Sequence, residues 1–212
     1  MIREFNNQEN LKLFQDKECI RLDFNSLSDL IVCANNLLNK QSGSTDACFL
    51  FEDSLYAFHF LKKYFEFRIA AGGVVRNKKG EVLMIYKNET WDLPKGHVIN
   101  SHECFKDCAK REVFEETNVS NLNICSSSFS THHIYKQKND FSNLLNQDKA
   151  ILGYCKILKE TKWFLMSTHL YQDIKPQLKE GITKVKWVPV NRLREIKTYQ
   201  SIKQVLSHFQ LI

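Results

Sequence analysis

The sequence contains few residues of the kinds that mark fibrous, disordered or disulfide-rich chains. Its 212 residues include only seven Gly and three Pro, which excludes a collagen-like chain and argues against a disordered one. The seven Cys are scattered and form no Cys-x-x-Cys pair, so we expect reduced thiols in a cytoplasmic protein. With 43% hydrophobic and 25% charged residues, the composition is that of an ordinary globular protein.

The sequence also lacks a long apolar run. The segment from Cys48 to Leu55 is interrupted by acidic residues, and no stretch approaches the roughly 20 apolar residues that a membrane span needs. The first residues show no basic region followed by an apolar run, so we expect no signal peptide. The chain is therefore predicted to be cytoplasmic, with no membrane partner.

The positive charge is concentrated in the later part of the chain. Residues 65–212 contain 23 Lys and Arg against 15 Asp and Glu, whereas residues 1–64 contain 7 against 9. A basic field favours anionic ligands, which include phosphorylated small molecules and nucleic acids. Because no run of Lys and Arg exceeds two residues, a phosphate site is favoured over an extended nucleic-acid surface.

Periodicity and turn signals predict a small α/β unit over residues 1–64, followed by a larger unit over residues 65–212. The larger unit combines hairpins with few helices, which indicates an α+β fold. Ser26 is a candidate helix cap. The predicted strands are 20–24, 47–51, 68–76, 81–86, 125–135, 151–158, 162–169 and 183–188. The predicted helices are 26–39, 53 or 54 to 64, 102–117, 191–196 and 199–209, and residues 136–149 are predicted to form a loop.

Three glutamates fall on one face of the predicted helix 102–117. Glu112, Glu115 and Glu116 are spaced i, i+3 and i+4, which brings their carboxylates together. Such a cluster repels itself unless a hard divalent cation such as Mg²⁺ or Mn²⁺, which prefers oxygen ligands, binds to it. For the triplet alone, the alternative interpretation is a solvated acidic helix face.

The surroundings of these acids resemble a known signature. The Nudix hydrolase box G-x5-E-x7-R-E-U-x-E-E-x-G-U, with U apolar, resembles the stretch from Glu103 through Arg111-Glu112-Val113-Phe114-Glu115-Glu116-Thr117-Asn118-Val119. The diadenosine- and diphosphoinositol-polyphosphate branch of this family has a lead-in similar to Trp91-Asp92-Leu93-Pro94-Lys95-Gly96-His97. Segments 70–75 and 180–188 are also similar to the family, so the resemblance covers roughly residues 67–210.

The chain departs from the box at two positions. Six residues, not five, separate Gly96 from Glu103, so either the loop bulges by one residue or His97 takes the Gly position. Asn118 stands where the box has the Gly that ends the helix. Asn is the non-Gly residue best suited to a left-handed helix cap, so this second departure is mild.

The resemblance implies both a fold and an activity. The fold is a Nudix-type α/β/α sandwich with a mixed sheet, preceded by the small α/β N-terminal unit. The activity is metal-dependent hydrolysis of a phosphoanhydride (pyrophosphate) bond in a nucleoside diphosphate linked to another moiety. The implied cofactor is Mg²⁺ or Mn²⁺, and the implied partner is a phosphorylated small-molecule substrate.

The resemblance also implies roles for individual residues. Glu112, Glu115 and Glu116 would bind the metal, and Arg111 would orient a glutamate through a salt bridge. Glu103 would lie in the outer shell of the site. Lys95 is a candidate phosphate contact, and the carbonyl of Gly96 is a candidate metal ligand. The general base varies within the family, so the helix glutamates, including Glu115 and Glu116, and the later Glu180 are alternative candidates.

Two other functions stay open at this point. One is a non-catalytic Nudix-fold sensor of a phosphorylated metabolite, and the other is an RNA 5′-end pyrophosphohydrolase. The sequence shows no basic-aromatic track for a nucleic-acid strand, which disfavours the second. Residues 1–64 could form a dimerisation element, a lid or a packing unit, so a homodimer is one of the open alternatives.

Overall fold

The computed structural model divides the chain into two compact units. Unit 1 takes the chain up to Arg68 together with His132–Lys159, and unit 2 takes Ile69–Thr131 together with Glu160–Ile212. The structure describes residues 19–23, 26–39, 46–50, 54–138, 154–169 and 173–212. The boundary expected between residues 64 and 65 stays a prediction, and residues 139–149 of the predicted loop lie outside the described residues.

The described residues form four α-helices, ten strands and two 3-10 helices. The α-helices are α1 (Leu27–Asn39), α2 (Ser54–Tyr64), α3 (Phe105–Thr117) and α4 (Gln200–His208). The strands are β1 (Cys19–Asp23), β2 (Asp46–Leu50), β3 (Glu66–Arg76), β4 (Val82–Lys87), β5 (Thr90–Asp92), β6 (Lys95–His97), β7 (Asn123–Ile124), β8 (Phe129–Lys138), β9 (Tyr154–Ser167) and β10 (Ile182–Val188). The 3-10 helices are Leu178–Glu180 and Val190–Arg192.

Helix α1 of unit 1 follows the pattern that its sequence predicts. The hydroxyl of Ser26 accepts a hydrogen bond from the backbone N–H of Asp29 at 3.2 Å, which caps the helix as expected. Leu30, Ile31 and Ala34 recur at helical spacing and are buried in one cluster with residues of α2. Strands β1 and β2 pair in parallel, and α1 supplies the crossover that a parallel pair requires.

The main sheet lies between α3 and α4 in unit 2. Among the described residues its strand order is β10-β4-β3-β9-β7, with β5 on β4, β6 on β3 and β8 on β9. Successive side chains of a strand point to opposite faces of the sheet. In β3, Val74 packs with Val205 of α4, and Val75 packs with Val113 of α3. This α+β sandwich confirms the predicted fold class.

Two adjacent glycines of β3 allow the parts of the candidate site to approach the sheet. A Cβ at Gly73 would lie 2.6 Å from Cγ2 of Val113, so α3 packs closer than any side chain at that position would permit. A Cβ at Gly72 would lie 2.6 Å from the carbonyl oxygen of Pro94. Strand β3 therefore holds both α3 and the segment that contains Pro94.

The structure corrects three predicted elements. Predicted strands 151–158 and 162–169 are one strand, β9, because Glu160 stays in the sheet, where Ser130 donates to it at 2.9 Å and Lys162 lies 3.2 Å away. The predicted strand 125–135 is displaced to β8, Phe129–Lys138, and the short β7, Asn123–Ile124, precedes the predicted range. The predicted helix 191–196 is wrong, since only the 3-10 turn Val190–Arg192 forms after Pro189. No helix in the described ranges is long and apolar enough to cross a membrane.

Candidate active site

Helix α3 places the three predicted metal-binding glutamates in different environments. Glu116 is only 5% exposed, although its neighbours Cys108, Ala109 and Val113 already fill the inner face of the helix. The side chain of Glu112 is 12% exposed, and that of Glu115 is 41% exposed. The cluster therefore extends from the protein interior to solvent, so that a ligand approaching from solvent meets Glu115 first.

Arg111 contacts three of the other predicted site residues. Its guanidinium donates to Glu103 at 2.7 and 3.1 Å, to Glu112 at 2.6 Å and to Glu115 at 3.1 Å. A further N–H donates to the carbonyl of His97 at 3.0 Å. Hydrogen bonding to Glu103 holds the pKa of Arg111 above its ordinary value, so the guanidinium keeps its charge. It therefore fixes the side-chain positions of these acids.

The carboxylate of Glu112 lies directly against Gly96. A Cβ built at residue 96 would overlap both carboxylate oxygens of Glu112, so only glycine leaves room for this side chain. Burial raises the pKa of Glu112 above its ordinary value, and pairing with Arg111 opposes that rise. The Gly96–Glu112 approach joins strand β6 to the acidic face of α3.

Glu116 is held by the backbone of the same segment. The N–H of Lys95 donates to Oε2 of Glu116 at 2.9 Å. Burial raises the pKa of Glu116 to about 7, although the charge of Lys95 acts in the opposite direction. The raised pKa means that the surroundings do not fully stabilise the negative charge of this carboxylate. A bound cation would stabilise it, so Glu116 is a suitable metal ligand.

Lys95 is paired with Asp92. The ammonium of Lys95 lies 2.5 Å from Oδ2 of Asp92, and both side chains are largely buried. Burial acts to lower the pKa of Lys95, but the neighbouring Asp92 carboxylate outweighs it, so that this pKa lies above its ordinary value. A charged ammonium therefore stands beside the acidic cluster.

A turn at Asn100 accommodates the extra residue between Gly96 and Glu103. The side-chain oxygen of Asn100 accepts the N–H groups of His102 and Glu103, at 2.9 and 3.1 Å. Gly96 keeps its place against Glu112, and Glu103 reaches Arg111 from the far end of the loop. The hydrogen bond from Arg111 holds the pKa of Glu103 below its ordinary value. The insertion therefore leaves the ionic contacts of the box intact.

Comparison with known proteins decides the family. The family model described as NUDIX domain matches residues 66–209. The chain belongs to the Nudix family. The predicted identification of a Nudix-type enzyme that acts on acid anhydrides is thereby confirmed at the level of the family, whose members use divalent metal ions and phosphorylated small-molecule substrates.

Solved structures of Nudix proteins resemble this chain over about two-thirds of its length. A binary complex of a C. elegans Ap4A hydrolase is 22% identical, covers 68% of this chain and 95% of its own, and has a TM-score of 0.50. A MutT protein from Methanosarcina mazei Go1 is 20% identical, with coverages of 69% and 94% and a TM-score of 0.47. The E. coli dihydroneopterin triphosphate pyrophosphohydrolase is 18% identical, with coverages of 66% and 93% and a TM-score of 0.45. The first likeness supports the Nudix fold of unit 2.

The Nudix helix ends as its Asn118 predicts. Asn118 adopts a left-handed conformation with φ of 64°, and its N–H donates to the carbonyl of Phe114 at 2.7 Å. The backbone N–H groups of Lys175 and Gln177 donate to the carbonyls of Thr117 and Glu116, at 3.0 and 3.3 Å. A later segment of the chain therefore satisfies the carbonyls at the end of the helix.

Glu180 lies on the 3-10 turn that follows this segment. Its side chain is 58% exposed and stands 3.5 Å from the ammonium of Lys87. Within the part of the chain that the structure describes, no hydrogen bond or ion pair joins its side chain to the glutamates of α3. Its candidacy as general base stays a prediction.

Asp92 is the site residue that sequence reasoning missed. It was visible only as part of the Trp91–His97 lead-in, yet the structure buries it and pairs it with Lys95. The i, i+3 spacing of Asp92 and Lys95 around a proline was the available signal, because a buried acid in an apolar run needs a partner.

The residues of the Nudix box fit a divalent metal ion. Among the described residues, no three acidic, His or Cys side chains already stand in a metal-binding arrangement, because Arg111 and Lys95 engage the carboxylates. The donors are all carboxylate oxygens, as Mg²⁺ and Mn²⁺ prefer, and Glu112 fills the space that glycine leaves at residue 96. Glu112, Glu115 and Glu116 could hold such an ion if it displaced some of these contacts.

Proposed function

We propose that the chain hydrolyses the pyrophosphate bond of a nucleoside diphosphate linked to another moiety, with Mg²⁺ or Mn²⁺ bound by Glu112, Glu115 and Glu116. One observation carries the proposal: a buried carboxylate, Glu116, stands beside two further acids and accepts the backbone N–H of Lys95, whose ammonium pairs with Asp92. Anionic donors for a cation and a cation for an anionic substrate are thus adjacent, which is what phosphoanhydride hydrolysis requires.

The protein side chains have separable tasks in this mechanism. Arg111 keeps Glu112 and Glu115 in position, and the backbone of Lys95 does the same for Glu116. The Lys95 ammonium contacts a phosphate oxygen of the substrate. When bound, the metal supplies Lewis-acid polarisation of the phosphoryl group and a lower pKa for the attacking water. Water attacks phosphorus in line, and the phosphate-linked leaving group departs from the opposite side.

A glutamate accepts the proton of the attacking water. Two candidates carry this role: a glutamate of α3, where Glu115 is the most exposed, and Glu180 on the 3-10 turn. Glu115 is favoured by its position on the same helix face as Glu112, since a general base must reach the reacting water. Glu103 lies outside this cluster and pairs with Arg111, so its proposed role is to hold Arg111 in place.

Formation of phosphorylated products from a substrate panel, separated by anion-exchange chromatography, tests the proposal, because cleavage of a bond between two substituted phosphates gives two phosphorylated products rather than free phosphate. The panel contains Ap4A and other dinucleoside polyphosphates, nucleotide sugars, ADP-ribose and nucleoside triphosphates, each with Mg²⁺ and with Mn²⁺. Glu116→Gln removes a proposed ligand, and Glu195→Gln is the matched control, because Glu195 is exposed and pairs with Arg192. We expect turnover in the parent and in the control, and a loss of at least about hundredfold in Glu116→Gln.

Other outcomes of the panel point to the alternatives. Silence on every substrate, with Mn²⁺ still bound, would contradict hydrolysis of these compounds and favour a sensor of a phosphorylated metabolite. With 5′-triphosphorylated RNA added to the panel, release of pyrophosphate from that RNA alone would favour the RNA end-processing activity. The cytoplasmic location, the homodimer and the role of residues 1–64 stay predictions.

A further inference from the structure

Asp92 and Lys95 form an ion pair at the inner side of the acidic cluster. The ammonium of Lys95 lies 2.5 Å from Oδ2 of Asp92, and the two side chains are 24% and 11% exposed. The other oxygen of Asp92 accepts the backbone N–H of Leu93 at 2.7 Å. Both oxygens of this carboxylate are therefore held within the segment from residue 92 to residue 95.

The same segment is fixed on the sheet. The carbonyl of Pro94 accepts the N–H of Gly73 at 3.1 Å, and Lys95 pairs with Gly72 across β6 and β3. The ring of Pro94 restricts the backbone between the two charged residues. These backbone contacts fix the positions of Asp92 and Lys95, unlike those of a solvent-exposed ion pair on the surface.

Lys95 faces a second carboxylate, that of Glu116. Its backbone N–H donates to Oε2 of Glu116 at 2.9 Å, so the two residues are in direct contact. The ammonium of Lys95 is close enough for the charges of Lys95 and Glu116 to influence each other. Lys95 therefore lies between two buried acids: Asp92 holds its ammonium, and Glu116 accepts its backbone N–H.

We propose that Asp92 is a positioning residue that holds the Lys95 ammonium away from Glu116 and so leaves the Glu116 carboxylate available to a divalent cation. This inference rests on the proposed function, because it assumes that Glu116 is a metal ligand. Without the charge of Asp92, the partly buried ammonium lacks a counter-ion, and Glu116 is the carboxylate beside it. An ammonium paired with Glu116 repels the incoming cation and occupies one of its ligands.

Substitution of Asp92 by Asn isolates the charge. Asn keeps the volume of the side chain and an oxygen that can accept the N–H of Leu93, but it no longer neutralises Lys95. The double variant Asp92→Asn/Lys95→Met also removes the ammonium, and it retains the backbone N–H that contacts Glu116. Asp173→Asn is the matched control, because Asp173 is exposed and pairs with Lys175.

The measurement is the dissociation constant of Mn²⁺ in the absence of substrate, from the electron paramagnetic resonance signal of the free ion. We expect Asp92→Asn to weaken Mn²⁺ binding about tenfold relative to the parent, with no change in the control. The single variant Lys95→Met, which lacks only the ammonium, is measured as well. We expect the double variant to bind Mn²⁺ as tightly as Lys95→Met does. Circular dichroism spectra recorded on each variant check that it is folded.

Two results would overturn the inference. Asp92→Asn could bind Mn²⁺ as the parent does, in which case Asp92 serves packing alone. The double variant could bind no better than Asp92→Asn, in which case the charge of Asp92 acts on the cation directly and not through Lys95. A parent protein that binds no Mn²⁺, or whose binding is unaffected by Glu116→Gln, would overturn the proposed metal site as well. The parent and Glu116→Gln titrations therefore separate failure of the proposed function from failure of this inference.

Discussion

Helices α1 and α3 both have 13 residues, but they differ in capping, in the charges at their ends and in the side chains that they bury. Helix α1 begins with a hydrogen-bonding cap at Ser26, has Asp29 in its first turn and buries only apolar side chains among those described. The N-cap residue of α3, Cys104, makes no side-chain hydrogen bond to the backbone of the helix. The last turn of α3 has acidic residues and no basic one.

The difference supports the proposal that α3 carries the chemistry. Acidic side chains at a helix C-terminus oppose the helix dipole, and burying Glu116 adds a desolvation cost. A helix shaped by stability alone would have neither feature. Arg111 and the backbone N–H of Lys95 contact these acids, and such costly features are expected at functional sites, which supports the proposed role of α3.

The largest expected effect comes from Gly96→Ala, which destroys the site on α3 and leaves α1 unchanged. The added methyl group would overlap the Glu112 carboxylate and displace it. A displacement of about 1 Å at a reacting centre costs on the order of hundredfold in rate, so we expect at least that loss of turnover. Steady-state kinetics on the substrate that the parent turns over measures this loss.

Gly80→Ala is the control for Gly96→Ala. Gly80 lies in the turn after β3 with φ of 78°, and a Cβ there meets nothing closer than 3.4 Å. Alanine at a positive φ costs about 1 kcal/mol of stability, so this variant should be less stable and retain full turnover. Equal turnover in both glycine variants would show that the Gly96–Glu112 approach has no catalytic importance.

The contrast between local and non-local features explains what the sequence alone could predict. The i, i+3, i+4 spacing was sufficient to bring Glu112, Glu115 and Glu116 to one face, because helix geometry is local. The burial of Glu116 was not predictable, since it depends on the approach of a segment distant in sequence, held by Gly72 and Gly73.

The fold shows the same limit. The cap at Ser26 and the left-handed Asn118 depend on a few adjacent residues, and both predictions are confirmed. Strand β9 was predicted as two strands, 151–158 and 162–169, whereas Lys162 and Ser130 pair with the intervening Glu160 and keep it in the sheet. Predictions failed where the partner of a polar group lies on another strand or loop.

The second effect in size is stabilisation by metal ions, which should depend on α3. If only the native state binds the ion, Mg²⁺ or Mn²⁺ at about one hundred times its dissociation constant raises the free energy of unfolding by about 2.7 kcal/mol. This corresponds to a rise in Tm of about 5 °C or more. Glu115→Gln/Glu116→Gln should lose this response. Differential scanning fluorimetry with EDTA and with each ion measures it.

The metal-free melting temperature of that variant sharpens the comparison of the helices. Removing two acids from the negative end of the helix dipole relieves repulsion, so the variant in EDTA should be at least as stable as the parent. A variant that keeps the full metal response would contradict the assignment of these ligands. A large loss of stability in EDTA would instead mean that the acids support the fold.

The smallest expected effect is that of Ser26→Ala in α1. Loss of the hydroxyl leaves the N–H of Asp29 without its capping acceptor, which costs about 1 kcal/mol. The free energy of unfolding from urea titration measures this cost, and Ser28→Ala, which changes an exposed serine inside the same helix, is the control. If Ser26→Ala and Ser28→Ala gave equal stabilities, the cap would contribute nothing and α1 would not be the stability-optimised helix of the pair. The expected signs are opposite in the two helices: loss of a polar side chain destabilises α1 at its start, whereas loss of acids does not destabilise metal-free α3 at its end.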